Sequence, residues 1–304
     1  MGKAVRSALC AVALAAVTLL VVTGSRGAGS PARAASASSP CGLIPSMPAH
    51  RRVVWFIFEN HSFSQIIGNP AAPYFNELAD ECGLATRYFA VTHPSLPNYI
   101  AMVANDTYGI ADDNSPSTHP LGATRSLFGL VRSAGKTWRV YAESMPSNCY
   151  PSPSGQYAVK HNPAPYFTAI AADCAQWDVP MGTLASGAFV DDVDAGTLPD
   201  FAIVVPNLCN DMHDCPVATG DAWLRSWLTL VLAGPNYAAN DTEIVVTFDE
   251  GTANDNRIAT IVISPATPAG ARSTTKYTHY SLFYSTARIL GIGDFRDLRT
   301  RFGL

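Results

Sequence analysis

Four polar side chains stand directly after two apolar stretches of the sequence and could together bind a cation. Glu59 and Asn60 follow one stretch, and Asp249 and Glu250 follow the other. Both stretches have the length and the β-branched and aromatic content of buried strands. Ligands bind beyond the carboxyl ends of strands in open α/β sheets. Oxygen ligands suit Mg²⁺, Mn²⁺ or Ca²⁺ better than Zn²⁺. The pattern therefore predicts a cation site, and the alternative is that these residues only begin loops.

Ser95 is the residue best placed to act as a nucleophile. It lies between Pro94 and Pro97, just before a helix predicted at 98–105. Backbone N–H groups at the start of a helix can hold a phosphate. A metal ion that touches the hydroxyl would lower its pKa and orient it for attack. The turn thus predicts an activated serine beside the cation site, although a Pro-Ser-Leu-Pro segment alone is common.

The elements that must position these groups alternate between strands and helices. Strands are predicted at 53–58, 86–91, 137–142, 201–205, 243–248 and 258–264, and helices at 73–82, 98–105, 126–134, 221–232 and 281–290. This alternation indicates an α/β fold with a mostly parallel sheet covered on both faces. Segment 144–165 shows no period and is predicted to be a long ordered loop held by Cys149, and loops of this length are usually functional.

The start of the chain has the pattern of a secretory signal. Lys3 and Arg6 precede an apolar segment at 8–22, and sites of small residues follow it, so cleavage is expected between about 34 and 40. An uncleaved membrane anchor is the alternative, because the apolar segment is only slightly shorter than a spanning helix. We expect residues 1–38 to be signal and linker, and 39–304 to form a single secreted domain.

Charge and composition exclude some partners. The chain is 48% hydrophobic and 14% charged, which is ordinary for a globular protein. Its formal net charge is −4, and loss of the four basic residues of segment 1–34 leaves about −8. Nucleic acids and anionic membrane surfaces are therefore not expected as partners through bulk electrostatics.

Six cysteines follow the predicted signal, and an even number suits an oxidising compartment. Fifteen pairings are possible, and the sequence does not decide among them. We expect the local pairs to be bonded, with metal binding by the thiols as the alternative. The expected pairs are Cys209–Cys215, Cys149–Cys174 and Cys41–Cys82.

Five segments together resemble the bacterial phosphoesterase family that includes acid phosphatases and phospholipases C. In chain order they are 59–63, 93–99, 206–215, 247–250 and 278–281. The resemblance covers nearly the whole mature chain. That family is related to the alkaline phosphatase superfamily, so the resemblance implies a three-layer α/β/α core with a mostly parallel central sheet.

The resemblance also implies roles for the residues already singled out. Glu59, Asn60, Asp249 and Glu250 would bind one divalent metal ion in contact with Ser95, and Ser95 would be phosphorylated during turnover. A sulfatase would carry Cys in the nucleophile segment and Arg soon after it, and the segment around Ser95 has neither.

Histidines are expected to contact the phosphoryl group and to protonate the leaving group; they are His93, His161, His213 and His279. His93 could equally stabilise the turn that precedes Ser95. Asp211, His213 and His279 could instead bind a second metal ion. Lys160, Asp211 and Asn114 are further candidates for contacts with phosphate or a second metal.

The expected activity is hydrolysis of small soluble phosphate monoesters. A phospholipase C-like phosphodiesterase that acts on membrane lipids is the alternative, and it is less favoured because the larger phospholipases of the family carry additional carboxy-terminal domains. A third hypothesis is an exported binding protein without activity. The intact set of Glu59, Asn60, Ser95, Asp249 and Glu250 argues against that hypothesis.

Overall fold

The structure of the protein, a computed structural model, describes residues 1–2, 39–49 and 51–293. The predicted signal segment falls at 3–38 and so lies outside the described residues. Within the described part, no helix is long and apolar enough to cross a membrane.

One sheet of nine strands forms the centre of the fold. The strands are β1 Arg52–Phe58, β2 Gly83–Phe89, β3 Trp138–Ala142, β4 Asp178–Pro180, β5 Phe201–Val205, β6 Thr242–Phe248, β7 Arg257–Ile263, β8 Arg272–Ser273 and β9 Tyr277–Thr278. Their order is β4-β3-β5-β1-β6-β7-β2-β8, with β9 also paired to β2. All pairings are parallel except those of β7, which runs antiparallel to both β6 and β2. The sheet is therefore mixed but mostly parallel, as the sequence predicts.

Nine α-helices occur among the described residues and connect these strands. They are α1 Phe63–Ile66, α2 Pro73–Glu81, α3 Ser95–Ala104, α4 Leu127–Ser133, α5 Ala171–Trp177, α6 Ala188–Ala195, α7 Val217–Ala233, α8 Pro235–Ala238 and α9 His279–Ile289. Three short 3₁₀ helices lie at Val159–His161, Ala164–Tyr166 and Thr168–Ile170.

Alternate side chains of the central strand β1 show that helices cover both faces of the sheet. Trp55 donates its indole N–H to Thr286 Oγ1 of α9 at 3.2 Å. The next residue, Phe56, packs edge-on against Phe189 of α6 and Trp223 of α7. Successive strand residues point to opposite faces, so α9 lies on one face and α6 and α7 on the other. This arrangement confirms the predicted α/β fold.

The six predicted strands are all present, and their ends differ from the predicted ends by at most three residues. The prediction for helix α3 differs in a way that bears on function. The helix begins at Ser95 rather than at Asn98, and Pro97 lies in its first turn. Proline is tolerated there because the first N–H groups of a helix have no partner within it. Ser95 is therefore part of the helix and not of a preceding turn. Strands β4, β8 and β9 and helices α1, α5, α6 and α8 are additional elements.

Three disulfide bonds link the six cysteines in the predicted pairs. They join Cys41 to Cys82, Cys149 to Cys174 and Cys209 to Cys215. The second bond holds segment 144–165, which is irregular apart from its 3₁₀ turns.

Helix α2 has its amino terminus capped by a side chain from another helix. Ala72 precedes α2 and offers no capping side chain. Instead the buried Asp221 of α7 accepts hydrogen bonds from the backbone N–H groups of Tyr74 and Phe75, both at 2.9 Å. A carboxylate at this position also favours the positive end of the helix dipole. Asp221 therefore joins α2 to α7.

We predict that Asp221→Ala lowers the free energy of unfolding by about 1–3 kcal/mol, because two N–H groups lose their buried acceptor. Urea unfolding followed by circular dichroism measures the change. Asp194→Ala, an exposed change on α6, is the matched control and should stay within about 0.5 kcal/mol of wild type. Equal stability of the two variants would contradict the capping role.

Candidate active site

Glu59 and Asp249 lie side by side because the strands that they follow are neighbours. β1 and β6 pair in parallel with Phe58 opposite Phe248, so both strands leave the sheet at the same edge. The backbone N–H of Asn60 donates to Asp249 Oδ1 at 3.1 Å. Asn60 has a φ of 52°, in the left-handed region where asparagine is enriched. The strand-end residues predicted from the sequence thus meet at one edge of the sheet.

Ser95 reaches the same place from the first turn of α3. Its hydroxyl donates to Glu59 Oε2 at 3.0 Å, and the residue is only 1% exposed. Ser95 also lies close enough to Asp249 to lower the pKa of that carboxyl group. The hydroxyl is therefore bonded to Glu59 and near Asp249.

His161 and Asp211 join Glu59 from two loops. His161 ends a 3₁₀ helix, and Asp211 lies in the loop closed by the Cys209–Cys215 bond. His161 Nε2 is 3.2 Å from Glu59 Oε2, and His161 Nδ1 is 3.2 Å from Asp211 Oδ2. One ligand atom from each of the three residues lies within 4.8 Å of the other two. The geometry thus adds a nitrogen ligand to a site that the sequence predicts to be all oxygen.

Several polar atoms at this place are buried without a hydrogen-bond partner. Among the side chains of the described residues, these atoms include Asn60 Oδ1, His161 Nε2, Asp211 Oδ2 and Asp249 Oδ2. Buried polar atoms are nearly always paired in native proteins, and unpaired ones call for an explanation. Oxygen and imidazole nitrogen atoms of this kind are ligands that a divalent cation can use. These residues therefore fit a metal ion.

Burial and mutual repulsion raise the pKa values of the carboxyl groups here. The pKa of Glu59 lies well above its ordinary value because the group is fully buried and faces the charges of Asp249 and Asp211. Burial raises the pKa of Asp249 to about 7, and the charge of Glu250 adds to this effect. Burial likewise raises the pKa of Asp211 to about 7. A nearby cation favours the ionised forms and would offset this repulsion.

Tyr99 is a site residue that the sequence analysis missed. Its hydroxyl donates to Glu59 Oε1 at 2.5 Å, while Ser95 uses the other oxygen of the same carboxylate. The Tyr99 ring also stacks on His161, with ring centres 5.5 Å apart and planes 13° apart. Tyr99 therefore fixes the orientation of two candidate metal ligands. Its spacing of four residues from Ser95, which places both on one face of a helix, is the signal that could have found it.

One carboxylate oxygen of Glu250 is hydrogen-bonded to other side chains of the protein. Glu250 Oε2 is 2.7 Å from His93 Nδ1 and accepts from Asn98 Nδ2 at 3.3 Å. Asn98 also accepts from the backbone N–H groups of Val91 and Thr92, so it holds the chain that leads to Ser95. Burial raises the pKa of Glu250 to about 7. The structure thus places Glu250 between His93 and the site, and its role as a metal ligand stays a prediction.

The remaining candidates, Lys160, His213 and Asn114, line one opening. Lys160 Nζ is 3.0 Å from Asp113 Oδ2, and His213 Nδ1 is 2.7 Å from Asp214 Oδ1. Asn114 is exposed, its backbone N–H donates to Asp112, and its backbone oxygen accepts from the Tyr166 hydroxyl. These side chains surround an opening beside the buried group.

His279 lies beneath the site rather than in its opening. The residue is fully buried, with Nε2 2.5 Å from the backbone oxygen of Asp249 and Nδ1 3.1 Å from the Tyr88 hydroxyl. Burial lowers the pKa of His279 to about 4, so the ring is neutral near pH 7. Both nitrogens are engaged, which corrects the expectation that His279 contacts phosphate or metal. It supports the backbone of Asp249 instead.

The sequence matches a known family and several of its members. The profile of the Phosphoesterase family matches residues 69–292. The chain is 34% identical over 255 residues to a phosphatidylinositol-3-phosphatase of Mycobacterium tuberculosis, covering 83% of this chain and 81% of that protein. It is 33% identical over 231 residues to an acid phosphatase of Aspergillus fumigatus, covering 71% of this chain and 50% of that protein. The chain thus spans most of the first relative but only half of the second.

Solved structures show a similar fold at low sequence identity. A member of the alkaline phosphatase superfamily from Vibrio parahaemolyticus aligns with a TM-score of 0.57 at 13% identity, over 83% of this chain and 69% of that one. A lipoteichoic acid synthase from Listeria monocytogenes aligns with a TM-score of 0.58 at 10% identity, over 82% and 76%. These similarities show that the chain has an alkaline-phosphatase-like fold.

We predict that Tyr99→Phe weakens binding of Mn²⁺ by about 10–100-fold, the usual effect of removing a hydrogen bond to a metal ligand. Isothermal titration of the chelator-treated protein measures the affinity without any substrate. Tyr237→Phe is the matched control, because the Tyr237 hydroxyl donates to the backbone oxygen of Pro40 and not to a candidate metal ligand. An unchanged Mn²⁺ affinity in Tyr99→Phe would show that Glu59 needs no such support.

Proposed function

The chain belongs to the phosphoesterase family, and we propose from this that it hydrolyses phosphate monoesters through a phosphoserine at Ser95. The observation that carries the proposal is the contact of Ser95 Oγ with Glu59 Oε2 at 3.0 Å, at the start of a helix and among unpartnered buried ligand atoms. The relatives are named as phosphatases, which favours monoesters over the diesters of a phospholipase C.

We propose that one divalent metal ion binds at this place and is required for activity. The residues that would hold it are Glu59, Asn60, His161, Asp211 and Asp249, in contact with Ser95, and Glu250 is a further candidate ligand. The set remains mostly oxygen, which supports Mg²⁺, Mn²⁺ or Ca²⁺ rather than Zn²⁺. When bound, the ion lowers the pKa of a hydroxyl that it touches and stabilises negative charge on phosphoryl oxygens.

In the first step Ser95 Oγ forms a bond to phosphorus, and the bond from phosphorus to the ester oxygen breaks. Glu59 Oε2 already accepts the hydroxyl hydrogen and is the nearest group to receive that proton. The amino terminus of α3 favours the negative charge of the phosphoryl group. The alcohol leaves with a proton, which His93 or His213 can donate because both rings are partly exposed at the rim.

In the second step water attacks the phosphoserine, which releases inorganic phosphate and restores the Ser95 hydroxyl. The serine oxygen then takes back a proton, so the net reaction consumes one ester and one water and yields one alcohol and one phosphate. The protein contributes mainly by holding the reacting groups in place and by excluding water around them.

We also propose that the protein acts outside the cytoplasm, on small soluble phosphate esters. Three disulfide bonds support an oxidising compartment. Hydrolysis of phenyl phosphate by the purified protein would exclude the hypothesis of an inactive binding protein.

We predict that Ser95→Ala lowers kcat for phenyl phosphate by at least about 10³-fold, because the nucleophile is lost while binding groups remain. Release of inorganic phosphate measures kcat, and circular dichroism checks that the fold is kept. Mass spectrometry of acid-quenched wild-type enzyme should detect a phosphate on Ser95. Ser226→Ala, on the exposed side of α7, is the control. Near-wild-type turnover by Ser95→Ala would remove Ser95 from the mechanism.

Treatment with a chelator should abolish phosphatase activity, and one equivalent of a divalent ion per chain should restore it. The reason is that Glu59, His161 and Asp211 offer ligand atoms within 4.8 Å of one another. The other such group among the described residues, Cys149, Cys174 and Asp178, has its two cysteines joined in a disulfide bond. Elemental analysis of the reconstituted protein gives the stoichiometry. Two tightly bound ions per chain would contradict the one-metal proposal, and full activity after complete removal of metal would contradict metal dependence.

A further inference from the structure

A cavity of about 550 Å³ is lined by residues that contact the neighbours of the proposed nucleophile and of the candidate metal ligands. Asp113, Lys160 and His213 form part of its wall. Asp113 Oδ1 accepts from the backbone N–H of Leu96 at 3.0 Å, one residue after Ser95. The backbone N–H of His213 donates to Asp211 at 2.7 Å. The cavity therefore adjoins both the start of α3 and the candidate metal ligands, where the alcohol part of a bound phosphate ester must lie.

The wall of the cavity combines polar and apolar groups. Asn114, Ser115 and Asp214 can exchange hydrogen bonds with hydroxyl groups. Pro153, Ala158 and Leu208 contribute apolar surface to the same wall. Ligand sites are commonly apolar surfaces with a few polar groups that fix orientation. An alcohol with several hydroxyl groups and exposed C–H faces can use both kinds of surface.

The charges around the cavity oppose a second phosphate on the leaving group. Asp113 and Asp214 contribute two carboxylates, against the single ammonium group of Lys160, which pairs with Asp113. The wall therefore carries an excess of negative charge, and like charges disfavour binding. An uncharged leaving group fits this wall better than one that carries a second phosphate.

The surface of the described residues also opposes a leaving group embedded in a bilayer. Their large exposed apolar side chains are Met1, Leu43, Tyr108 and Leu184, and the cavity wall includes none of these four. Proteins that enter membrane surfaces usually show a contiguous apolar patch. The mouth of the cavity lacks such a patch within the described part of the chain.

We infer that this cavity binds the leaving group and selects neutral polyhydroxylated alcohols that carry a single phosphate, such as sugar monophosphates. The inference rests on the proposed phosphatase activity and adds its substrate class. Asn114, expected from the sequence to contact the phosphoryl oxygens, contacts the hydroxyl groups of the alcohol instead.

A second cavity, beside His93, is the alternative location for the leaving group. It is lined by His93, Asn254, Lys276 and Tyr280, among others. Asn254 is exposed, as Asn114 is. The same substitution at the two asparagines therefore compares the two cavities directly, because asparagine and leucine have similar size but leucine cannot form hydrogen bonds.

The experiment compares kcat/KM for glucose 6-phosphate and phenyl phosphate in wild type, Asn114→Leu and Asn254→Leu, each loaded with metal. We expect the ratio of the two values to fall about tenfold in Asn114→Leu, as for one or two lost hydrogen bonds, and to stay unchanged in Asn254→Leu. For wild type, fructose 1,6-bisphosphate should be about tenfold poorer than glucose 6-phosphate, because of its second phosphate. Both substrates are soluble, so a difference between them does not come from a membrane phase.

Three results would overturn the inference while leaving the phosphatase proposal intact. The first is that Asn114→Leu still hydrolyses phenyl phosphate and keeps the wild-type ratio of kcat/KM for glucose 6-phosphate to kcat/KM for phenyl phosphate. The second is a changed ratio in Asn254→Leu alone, which would place the leaving group beside His93. The third is faster hydrolysis of phosphatidic acid in phosphatidylcholine vesicles than of glucose 6-phosphate. Failure of the metal-loaded wild type to hydrolyse any of these esters would instead refute the proposed function itself.

Discussion

Repulsion among buried carboxylates is the constraint on which the candidate site depends. Glu59, Asp211 and Asp249 are each at most 1% exposed, and the charges of Asp249 and Asp211 add to burial in raising the pKa of Glu59. The pairing of β1 with β6 fixes the positions of Glu59 and Asp249. The backbone N–H of Glu59 donates to the backbone oxygen of Asp211 at 2.9 Å, and this bond fixes the position of Asp211. The fold thus holds these charges together at a cost that a bound cation would offset.

A carboxylate at the end of β3 connects this group to the hydrophobic core. Glu143 accepts from the backbone N–H of Asn207, from the Asn210 side chain at 2.9 Å and from the indole of Trp223 at 3.1 Å. Asn207 and Asn210 belong to the segment that carries Asp211, and Trp223 packs against Phe58. The position of Asp211 therefore follows from core packing as well as from its own loop.

The sequence predicts the strands and their polar ends well, because a long apolar run has few alternatives to a buried strand. It does not predict that His161 joins Glu59, since the loop around His161 has no period from which its path could be deduced. Tyr99 was missed for a more specific reason. Placing the start of α3 at Asn98 hid the four-residue spacing that puts Tyr99 on the same helical face as Ser95. Because the predicted start of α3 is three residues too late, the sequence did not predict the hydrogen bond from Tyr99 to Glu59.

The loops that carry His161 and Asp211 are fixed by cross-links that the sheet does not provide. The residue after His161, Asn162, donates to both oxygens of Asp178 at 2.9 Å, and the backbone oxygen of Asp178 accepts from Cys149. The Cys149–Cys174 bond closes this loop, and the Cys209–Cys215 bond closes the shorter loop of Asp211. Cross-links of this kind restrict the unfolded chain and reduce the entropy lost on ordering. Irregular segments can therefore hold two ligands and one cavity wall in place, while the sheet edge independently positions Glu59 and Asp249. Changes in these loops would alter the shape of the cavity without moving the strand-end carboxylates.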